Sequence, residues 1–257
     1  MTVPVFTVLV VGATGQTGRV VVATALEHGL RVRALARDPN RGRRLLPGAV
    51  VVEGDLTDAA TLGDAVDGVD AVIFTHGATG GRGAYERVDY GGVANVLRAL
   101  GDRRPRIALM TTINITTTAS GPYADLMSWK RRSERLVRAS GAPYTIVRPG
   151  WLDTGSPTDQ RLILAQGDTG TGSVSRSQVA DVLIRSLLCQ EAVGRTFELF
   201  ATTGNPPQDW PALFVATTAD GPGDLNGAHD LTTLPVEDEP PAVRRALNAV
   251  AVGRAAR

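Results

Sequence analysis

The sequence predicts an α/β protein built on a doubly wound parallel sheet. Short apolar runs rich in β-branched residues alternate with longer segments of helical spacing, and the links between them are short. A glycine-rich turn joins the first apolar run to the first helical segment. Strands and helices that alternate in this way form parallel sheets, because each helix carries the chain back across one face of the sheet.

Each predicted strand is a short, continuous apolar run, which is typical of a strand buried on both faces. These runs are VFTVLVVG (5–12), RVRALA (31–36), AVVVEGD (49–55), DAVIFTHG (70–77), RIALMTT (106–112) and PYTIVRPG (143–150). Several of the helical segments end at a glycine, the usual residue at a helix C-terminus. The segments are GRVVVATALEHG (18–29), TLGDAVDG (61–68), VDYGGVANVLRALG (88–101), DLMSWKRRSERLVRASG (125–141) and PPAVRRALNAVAVGR (240–254).

The alternation is regular up to residue 150 and looser after it. We therefore divide the chain into a nucleotide-binding core, residues 1–150, and a smaller C-terminal region, residues 151–257, which we expect to bind substrate and to pack on the same domain. The apolar stretch DWPALFVATT (209–218) is expected to pack through Trp210 or Phe214. It would cover a cleft, build a subunit interface or simply add core, so both a monomer and a homodimer remain open.

Composition excludes several classes of protein. The 257 residues are 43% hydrophobic and carry a net charge of +1, so no broad field favours nucleic acid or an anionic membrane. No apolar run approaches the roughly 20 residues of a membrane span. With no signal peptide recognised, we expect a cytoplasmic protein. One cysteine, Cys189, and three histidines make a Cys/His metal site unexpected.

The segment VVGATGQTGR (10–19) indicates a dinucleotide site. It places glycines at every third position directly after a strand and at the start of a helix, which lets backbone N–H groups approach a pyrophosphate at the helix N-terminus. This is the Rossmann arrangement, and it makes the loop residues candidates for cofactor binding. They are Gly12, Thr14, Gly15, Gln16, Thr17 and Gly18.

The end of the second strand favours NADPH over NADH. NAD sites carry an acidic residue about 20 residues after the glycines, where it binds the ribose 2′-hydroxyl. Here that place falls at Ala36, and Arg37 follows. A guanidinium can bind a 2′-phosphate through two hydrogen bonds, with Arg41 and Arg19 as possible helpers.

The chain resembles the short-chain dehydrogenase/reductase superfamily, and more closely its atypical, NmrA-like NAD(P)H-binding branch. The matching segments run in order over roughly residues 5–200. They are GATGQTG (12–18), ARDP (36–39), EGDLTD (53–58), VDYGGVANVLRA (88–99), WKRRSERLVRASGAPYTIVRPGWL (129–152) and SVSRSQVADVL (173–183).

The resemblance implies roles for further residues. Asp55 and Leu56 would line the adenine pocket, and Thr75, His76 and Gly77 would lie along the cofactor. The residues bordering the nicotinamide would be Pro149 and Gly150. Lys130 would bind the nicotinamide ribose, and it is the single lysine among 27 lysines and arginines. An ammonium on a flexible stem can donate to both ribose hydroxyls, which a planar guanidinium cannot copy.

Leu126 stands where members of the superfamily carry the tyrosine of Tyr-x-x-x-Lys, the general acid of carbonyl reduction. Without it, hydride addition to a simple ketone leaves a basic alkoxide with no dedicated proton donor. A quinone would leave a phenolate-like anion, whose conjugate acid has a pKa of about 10. We therefore expect an NADPH-dependent reductase of a quinone-type or aromatic carbonyl substrate.

Other groups could still supply a proton near the substrate. Candidates are Thr111 or Thr112 after the fifth strand and His76 after the fourth, with Tyr123 and Ser128 as further possibilities. We take Lys130, Thr112 and His76 as the catalytic candidates, in a cleft bordered by Trp151 and Leu152. Two alternatives remain open, a non-catalytic NADP(H)-binding redox regulator and an isomerase or epimerase with tightly held cofactor.

Overall fold

The computed structural model of the chain describes residues 6–81, 83–117, 120–231 and 234–255. The strands in this part form one sheet. They are β1 (Thr7–Val11), β2 (Arg31–Ala36), β3 (Val50–Glu53), β4 (Ala71–Phe74), β5 (Arg106–Met110), β6 (Tyr144–Pro149), β7 (Trp151–Leu152), β8 (Arg161–Ala165), β9 (Ser173–Val174) and β10 (Arg195–Thr202). Their order across the sheet is β3-β2-β1-β4-β5-β6-β10-β9-β7, and β8 also pairs with β10.

Helices lie on both faces of the sheet, which confirms the predicted Rossmann-type doubly wound class. They are α1 (Gln16–Glu27), α2 (Pro39–Leu45), α3 (Gly63–Val66), α4 (Gly91–Leu100), α5 (Ala124–Ala139), α6 (Arg176–Leu188), α7 (Trp210–Val215) and α8 (Pro241–Ala255). One apolar layer joins α1 and α6 to the sheet, and the opposite layer joins α3, α4, α5 and α8 to it.

The strand order reverses at β1, which pairs in parallel with β2 on one side and β4 on the other. In open parallel sheets, ligands bind in the crevice outside the carboxyl ends of the strands at such a reversal. The sheet thus places the ends of β1 and β4, and the loops that follow them, at the expected ligand site.

The sheet continues past residue 150. Strand β10 pairs in parallel with β6, with Phe197 opposite Val147, and α6 begins with a capping box between Ser175 and Gln178. Residues 151–257 therefore add a helix and a strand to the same Rossmann sheet, together with an antiparallel extension made by β8.

Helix α5 is covered by the C-terminal part of the chain. Its Arg135 lies 2.6 Å from Glu239, and its Arg138 lies 3.3 Å from Asp220. Arg148 of β6 is completely buried and bonds both carboxylate oxygens of Asp230, at 2.7 and 2.8 Å. These guanidiniums are desolvated, and the C-terminal carboxylates neutralise them.

The two halves of the C-terminal region dock on different faces. Phe214 is fully buried with its ring centroid 6.1 Å from that of Phe197, whereas Val243 and Leu247 of α8 join the layer beneath α5. No described residue after 200 lines either of the two clefts presented below. The described residues after 200 therefore add core on both faces of the sheet, whereas Trp151 of the same region lines the second cleft. The expectation that the C-terminal region covers the substrate or builds a subunit interface stays a prediction. Within the described ranges, none of the helices has both the length and the apolar composition needed to cross a bilayer.

Candidate functional site

The glycine-rich turn folds tightly between β1 and α1. Gly12 has φ +85°, and a Cβ placed on it would lie 2.7 Å from the backbone nitrogen of His76. A Cβ on Gly18 would lie 2.1 Å from the carbonyl oxygen of Gly12. Both positions therefore require glycine, because a side chain would push the turn away from the end of β4 or from the helix.

Helix α1 offers its N-terminus to an anion. Gly15 is its N-cap residue, no side chain caps it, and its first turn carries no acidic residue. Backbone N–H groups at an uncapped helix N-terminus bind phosphate well, with a favourable helix dipole. The turn thus fits the pyrophosphate of a dinucleotide.

A cleft of about 430 Å³, here called the glycine-loop cleft, opens beside this turn. It brings together residues predicted from four separate segments of the sequence. Those lining it are Gly12, Thr14, Gly15, Arg37, Asp55, Leu56, His76 and Gly77, joined by Leu35, Ala36, Gly54 and residues 78–80. The cleft runs from the end of β2 to the loop after β4, as a bound dinucleotide would.

Some predicted residues support this cleft without lining it. Thr17 is buried in α1, and Thr75 is buried with its hydroxyl donating to the carbonyl of Val11 at 3.0 Å. Gln16 is exposed and accepts a hydrogen bond of 2.9 Å from Arg176. Gly18 acts through the close packing described above.

Arg37 lies exposed at the rim of the glycine-loop cleft, on the same side as Asp55. Hydrogen bonds from the backbone and hydroxyl of Thr57, and to a smaller degree the charge of Arg37, lower the pKa of Asp55. Arg19 and Arg41 do not line the cleft. Of these three arginines, Arg37 is therefore the one that lines the cleft.

Lys130 points from α5 toward the end of β4. Its Nζ lies 2.9 Å from Oδ1 of Asp89, and only 12% of the lysine side chain and 2% of the aspartate side chain are exposed. Asp89 also accepts a hydrogen bond of 3.0 Å from the backbone N–H of Ala78. A Cβ on Gly77 would lie 3.9 Å from Nζ, so the absence of a side chain there keeps the space before the ammonium open.

His76 does not fit the expected role of proton donor. Burial, and after it the nearby Lys130 ammonium, lower the pKa of His76 to about 4. Its Nε2 lies 3.2 Å from the carbonyl oxygen of Asp89. At pH 7 the ring is therefore neutral, and no imidazolium is present to donate a proton. Asp89 contacts both Lys130, through its carboxylate, and His76, through its backbone carbonyl. It lies in the matching segment VDYGG, but no role was predicted for it from the sequence.

A second cleft of about 200 Å³, here called the Leu126 cleft, lies beside α5. Leu126 precedes Lys130 by one helical turn, so the two side chains lie on the same face of α5. The lining combines apolar and aromatic side chains with a hydroxyl and an amide. It consists of Thr112, Ile113, Asn114, Tyr123, Leu126, Met127, Gly150 and Trp151.

The structure also separates the remaining polar candidates. Thr112 lines the Leu126 cleft, whereas Thr111 turns inward and donates to Glu134 at 2.7 Å. Ser128 accepts a hydrogen bond from Arg132 and lies outside the lining. Tyr123 and Trp151 line the cleft with 59% and 61% of their surfaces exposed, while Leu152 does not line it.

Pro149 and Gly150 sit at the end of β6, as expected, with a packing reason of their own. The Pro149 carbonyl accepts a hydrogen bond of 3.2 Å from Ile113 and so joins the two loops that border the Leu126 cleft. A Cβ on Gly150 would lie 2.3 Å from the carbonyl oxygen of Gly172. Glycine is therefore required at this position by the neighbouring loop.

Comparison with known proteins identifies the family. The family model described as NAD(P)H-binding matches residues 12–190. An uncharacterized chloroplastic protein of Arabidopsis thaliana is 32% identical in an alignment of 248 positions that spans 82% of this chain and 75% of that protein. Sanguinarine reductase of Eschscholzia californica is 27% identical in an alignment of 266 positions that spans 82% of this chain and 96% of the reductase.

A solved structure agrees with the sequence comparisons. A Bacillus halodurans protein named as a putative NAD-dependent epimerase/dehydratase superposes with a TM-score of 0.70 and 26% identity, covering 79% of this chain and 96% of the other. The range matched by the family model includes the glycine-rich turn, Arg37 and Lys130. The chain therefore belongs to the NAD(P)H-binding oxidoreductase family, in the atypical NmrA-like branch of the short-chain dehydrogenase/reductase superfamily.

Proposed function

We propose that this protein is an NADPH-dependent reductase that transfers hydride to a quinone-type or aromatic carbonyl acceptor. The observation that carries the proposal is the place of Leu126. Its side chain lines a cleft one helical turn before Lys130, at the position where related reductases hold a proton-donating tyrosine. A cleft lies at this position, and the acid that the resemblance leads us to expect there is absent.

The chain's own residues support the choice of cofactor. The α1 N-terminus would hold the pyrophosphate, and Arg37 would pair with the 2′-phosphate. Lys130, already oriented by Asp89, would donate to the ribose next to the nicotinamide. When bound, NADPH would supply the hydride.

The acceptor must tolerate reduction without a dedicated acid. Hydride addition to a quinone delivers two electrons and one hydrogen and leaves a hydroquinone anion, which takes its proton from water. That anion is a phenolate with a conjugate-acid pKa of about 10, so it is stable enough to form unprotonated. An aromatic iminium ion would need even less help, because hydride addition turns it into a neutral amine. The alkoxide from an aliphatic ketone is far more basic and requires a donor.

The lining of the Leu126 cleft supports a planar, apolar acceptor. Ile113, Leu126 and Met127 supply apolar surface, and Trp151 offers a flat ring that is partly open to solvent. Aromatic side chains stack well on planar ligands. The hydroxyl of Thr112 can donate one hydrogen bond to an acceptor oxygen.

A regulator that binds NADP(H) without chemistry is the second candidate. The exposed Tyr123 and Trp151 favour it, because a protein partner could bury both rings. An isomerase or epimerase fits less well, since such a reaction needs an acid–base pair. Leu126 and the neutral His76 do not supply one.

The test is NADPH oxidation by the wild-type protein against a panel of polycyclic quinones, aromatic iminium ions and aliphatic ketones. The proposal expects turnover of the first two classes and slow turnover of ketones. Leu126→Tyr should raise ketone reduction about a hundredfold or more, since a positioned acid typically contributes about 10²- to 10⁴-fold. Leu126→Phe is the matched control, because it adds the same ring without the hydroxyl.

Two results would contradict the proposal. Ketone turnover equal to quinone turnover in the wild type would mean that another acid is present. Tight NADPH binding without reduction of any acceptor would favour the regulator instead.

A further inference from the structure

One wall of the Leu126 cleft is a backbone segment in an unusual conformation. Thr112, Ile113 and Asn114 contribute this wall, directly after β5. Asn114 has φ +64°, in the left-handed region that non-glycine residues rarely occupy. Such a conformation persists only where the surroundings hold it in place.

The group that holds the segment is the carboxylate of Asp168. One of its oxygens accepts the backbone N–H of Asn114 at 2.6 Å. The other accepts the backbone N–H of Thr116 at 2.7 Å and the hydroxyl of Thr116 at 3.0 Å. Asp168 is only 2% exposed and lies 54 positions from Asn114 in the sequence. One donor is therefore in the wall itself, at Asn114, and the other two are at Thr116, two residues further along the same loop.

Asp168 is in turn fixed to the interior of the sheet. Its backbone N–H donates to Glu198 of β10 at 3.0 Å, and Glu198 lies opposite Arg148 of β6 in the parallel register. Asp168 itself has φ +55°. A hydrogen-bonded connection therefore runs from the central strands through Asp168 to the wall of the cleft.

We propose that Asp168 is a positioning residue, which sets the place of Thr112 and Asn114 relative to Leu126 and Trp151 and so determines how the acceptor is held. The inference rests on the proposed reductase function. Asp168 lines neither the glycine-loop cleft nor the Leu126 cleft, so it acts through the segment that it holds.

The experiment compares Asp168→Asn with Asp220→Asn. Asparagine keeps the size of the side chain, but only one of its terminal atoms accepts hydrogen bonds, so at least one backbone N–H loses its partner. Asp220 is the matched control. Its side chain is buried, accepts from Arg138, Tyr144 and Thr196, and lies outside the lining of both clefts.

The proposal expects Asp168→Asn to lower kcat/KM for quinones by about tenfold or more, since misplacement of a binding wall by about 1 Å can cost a hundredfold. NADPH affinity should stay within about twofold of the wild type, because the glycine-loop cleft is untouched. Asp220→Asn should change neither value by more than about twofold. Equal effects of the two variants on kcat/KM, or none from either, would overturn the assignment.

Amide hydrogen exchange tests the positioning separately from the reaction. The N–H groups of Asn114 and Thr116 should exchange faster in Asp168→Asn and remain protected in Asp220→Asn. If the wild type reduces no acceptor, the proposed function fails, and the exchange of these two amides still decides the role of Asp168. Unchanged exchange would refute it. Should Asp168→Asn not fold, Thr116→Ala removes one of the three donors, and faster exchange at Asn114 is then expected.

Discussion

Glu198 gives the stability of this protein a dependence on pH that can be worked out from the structure. Burial raises the pKa of Glu198 to about 7 from an ordinary value of 4.5, although Arg148 acts in the opposite direction. The folded state therefore holds this proton more tightly than the unfolded state. Between these two pKa values the folded state binds more protons, so the contribution of Glu198 to stability falls as pH rises. Shifting the pKa from 4.5 to about 7 corresponds to about 3 kcal/mol.

The perturbation is Glu198→Gln, which cannot ionise. We expect the stability of this variant relative to wild type to increase by about 3 kcal/mol between pH 4.5 and pH 8, measured by urea unfolding at intervals across that range. The comparison with wild type is needed because His76 changes the stability of the protein with pH in the opposite direction to Glu198. Its pKa is lowered to about 4, so its contribution to stability rises between about pH 4 and pH 6.5. Glu53→Gln, which removes an exposed carboxylate, is the control. A stability difference that stays flat or falls with pH would refute the reasoning.

The remaining predictions concern the cofactor and the C-terminal region. Arg37→Ala should weaken NADPH binding about tenfold or more and leave NADH binding nearly unchanged, because a hydrogen bond to a charged group contributes about 1.5–3 kcal/mol. Titration of the variant with both cofactors checks this prediction, with Arg41→Ala as the control. An unchanged preference for NADPH in Arg37→Ala would contradict it. Lys130→Arg should weaken NADPH binding or slow turnover although the charge is kept, and unchanged values for both would mean that Lys130 does not bind the ribose. Truncation after Gly204 should abolish folding, since it removes the carboxylates that pair with buried arginines. Each buried arginine left without its carboxylate costs about 3–5 kcal/mol of stability. A cooperative thermal transition in the truncated protein would disprove this prediction.

The strands of the Rossmann core could be predicted because their signals are local. The run RVRALA was predicted at 31–36, and β2 spans Arg31–Ala36. Strand β10 and helix α6 were not predicted, since residues 151–175 interrupt the alternation with short strands and turns. The segment before α4 was predicted without its π-helical turn, Tyr85–Tyr90, which carries Asp89. Such irregular turns depend on tertiary contacts and are frequent at functional sites.

The residues of the candidate site also divide into those with a local sequence signal and those that depend on tertiary contacts. The glycine positions could be predicted because backbone geometry at a tight turn restricts the residue type directly. Asp89 and Asp168 could not, since their partners are distant in the sequence and carboxylates are common on surfaces. The arginines of α5 are a further case. Arginine side chains are mostly exposed in proteins, yet Arg131, Arg132, Arg135 and Arg138 are all buried beneath the chain's own C-terminal region.

The two halves of α5 explain why one position on this helix is a lysine. From Arg131 onward, each guanidinium on this face bonds carboxylates or carbonyls of the C-terminal region, and the fixed fork of donors lets Arg135 and Arg138 bond more than one of them at once. Lys130 faces the other way, and among the described residues its ammonium pairs with one oxygen of Asp89. A buried guanidinium there would need more acceptors than Asp89 offers, whereas an ammonium has three donors and keeps two for a ligand in the space before Gly77. Under the proposed function, the single lysine would mark the point where α5 changes from binding its own chain to binding the cofactor.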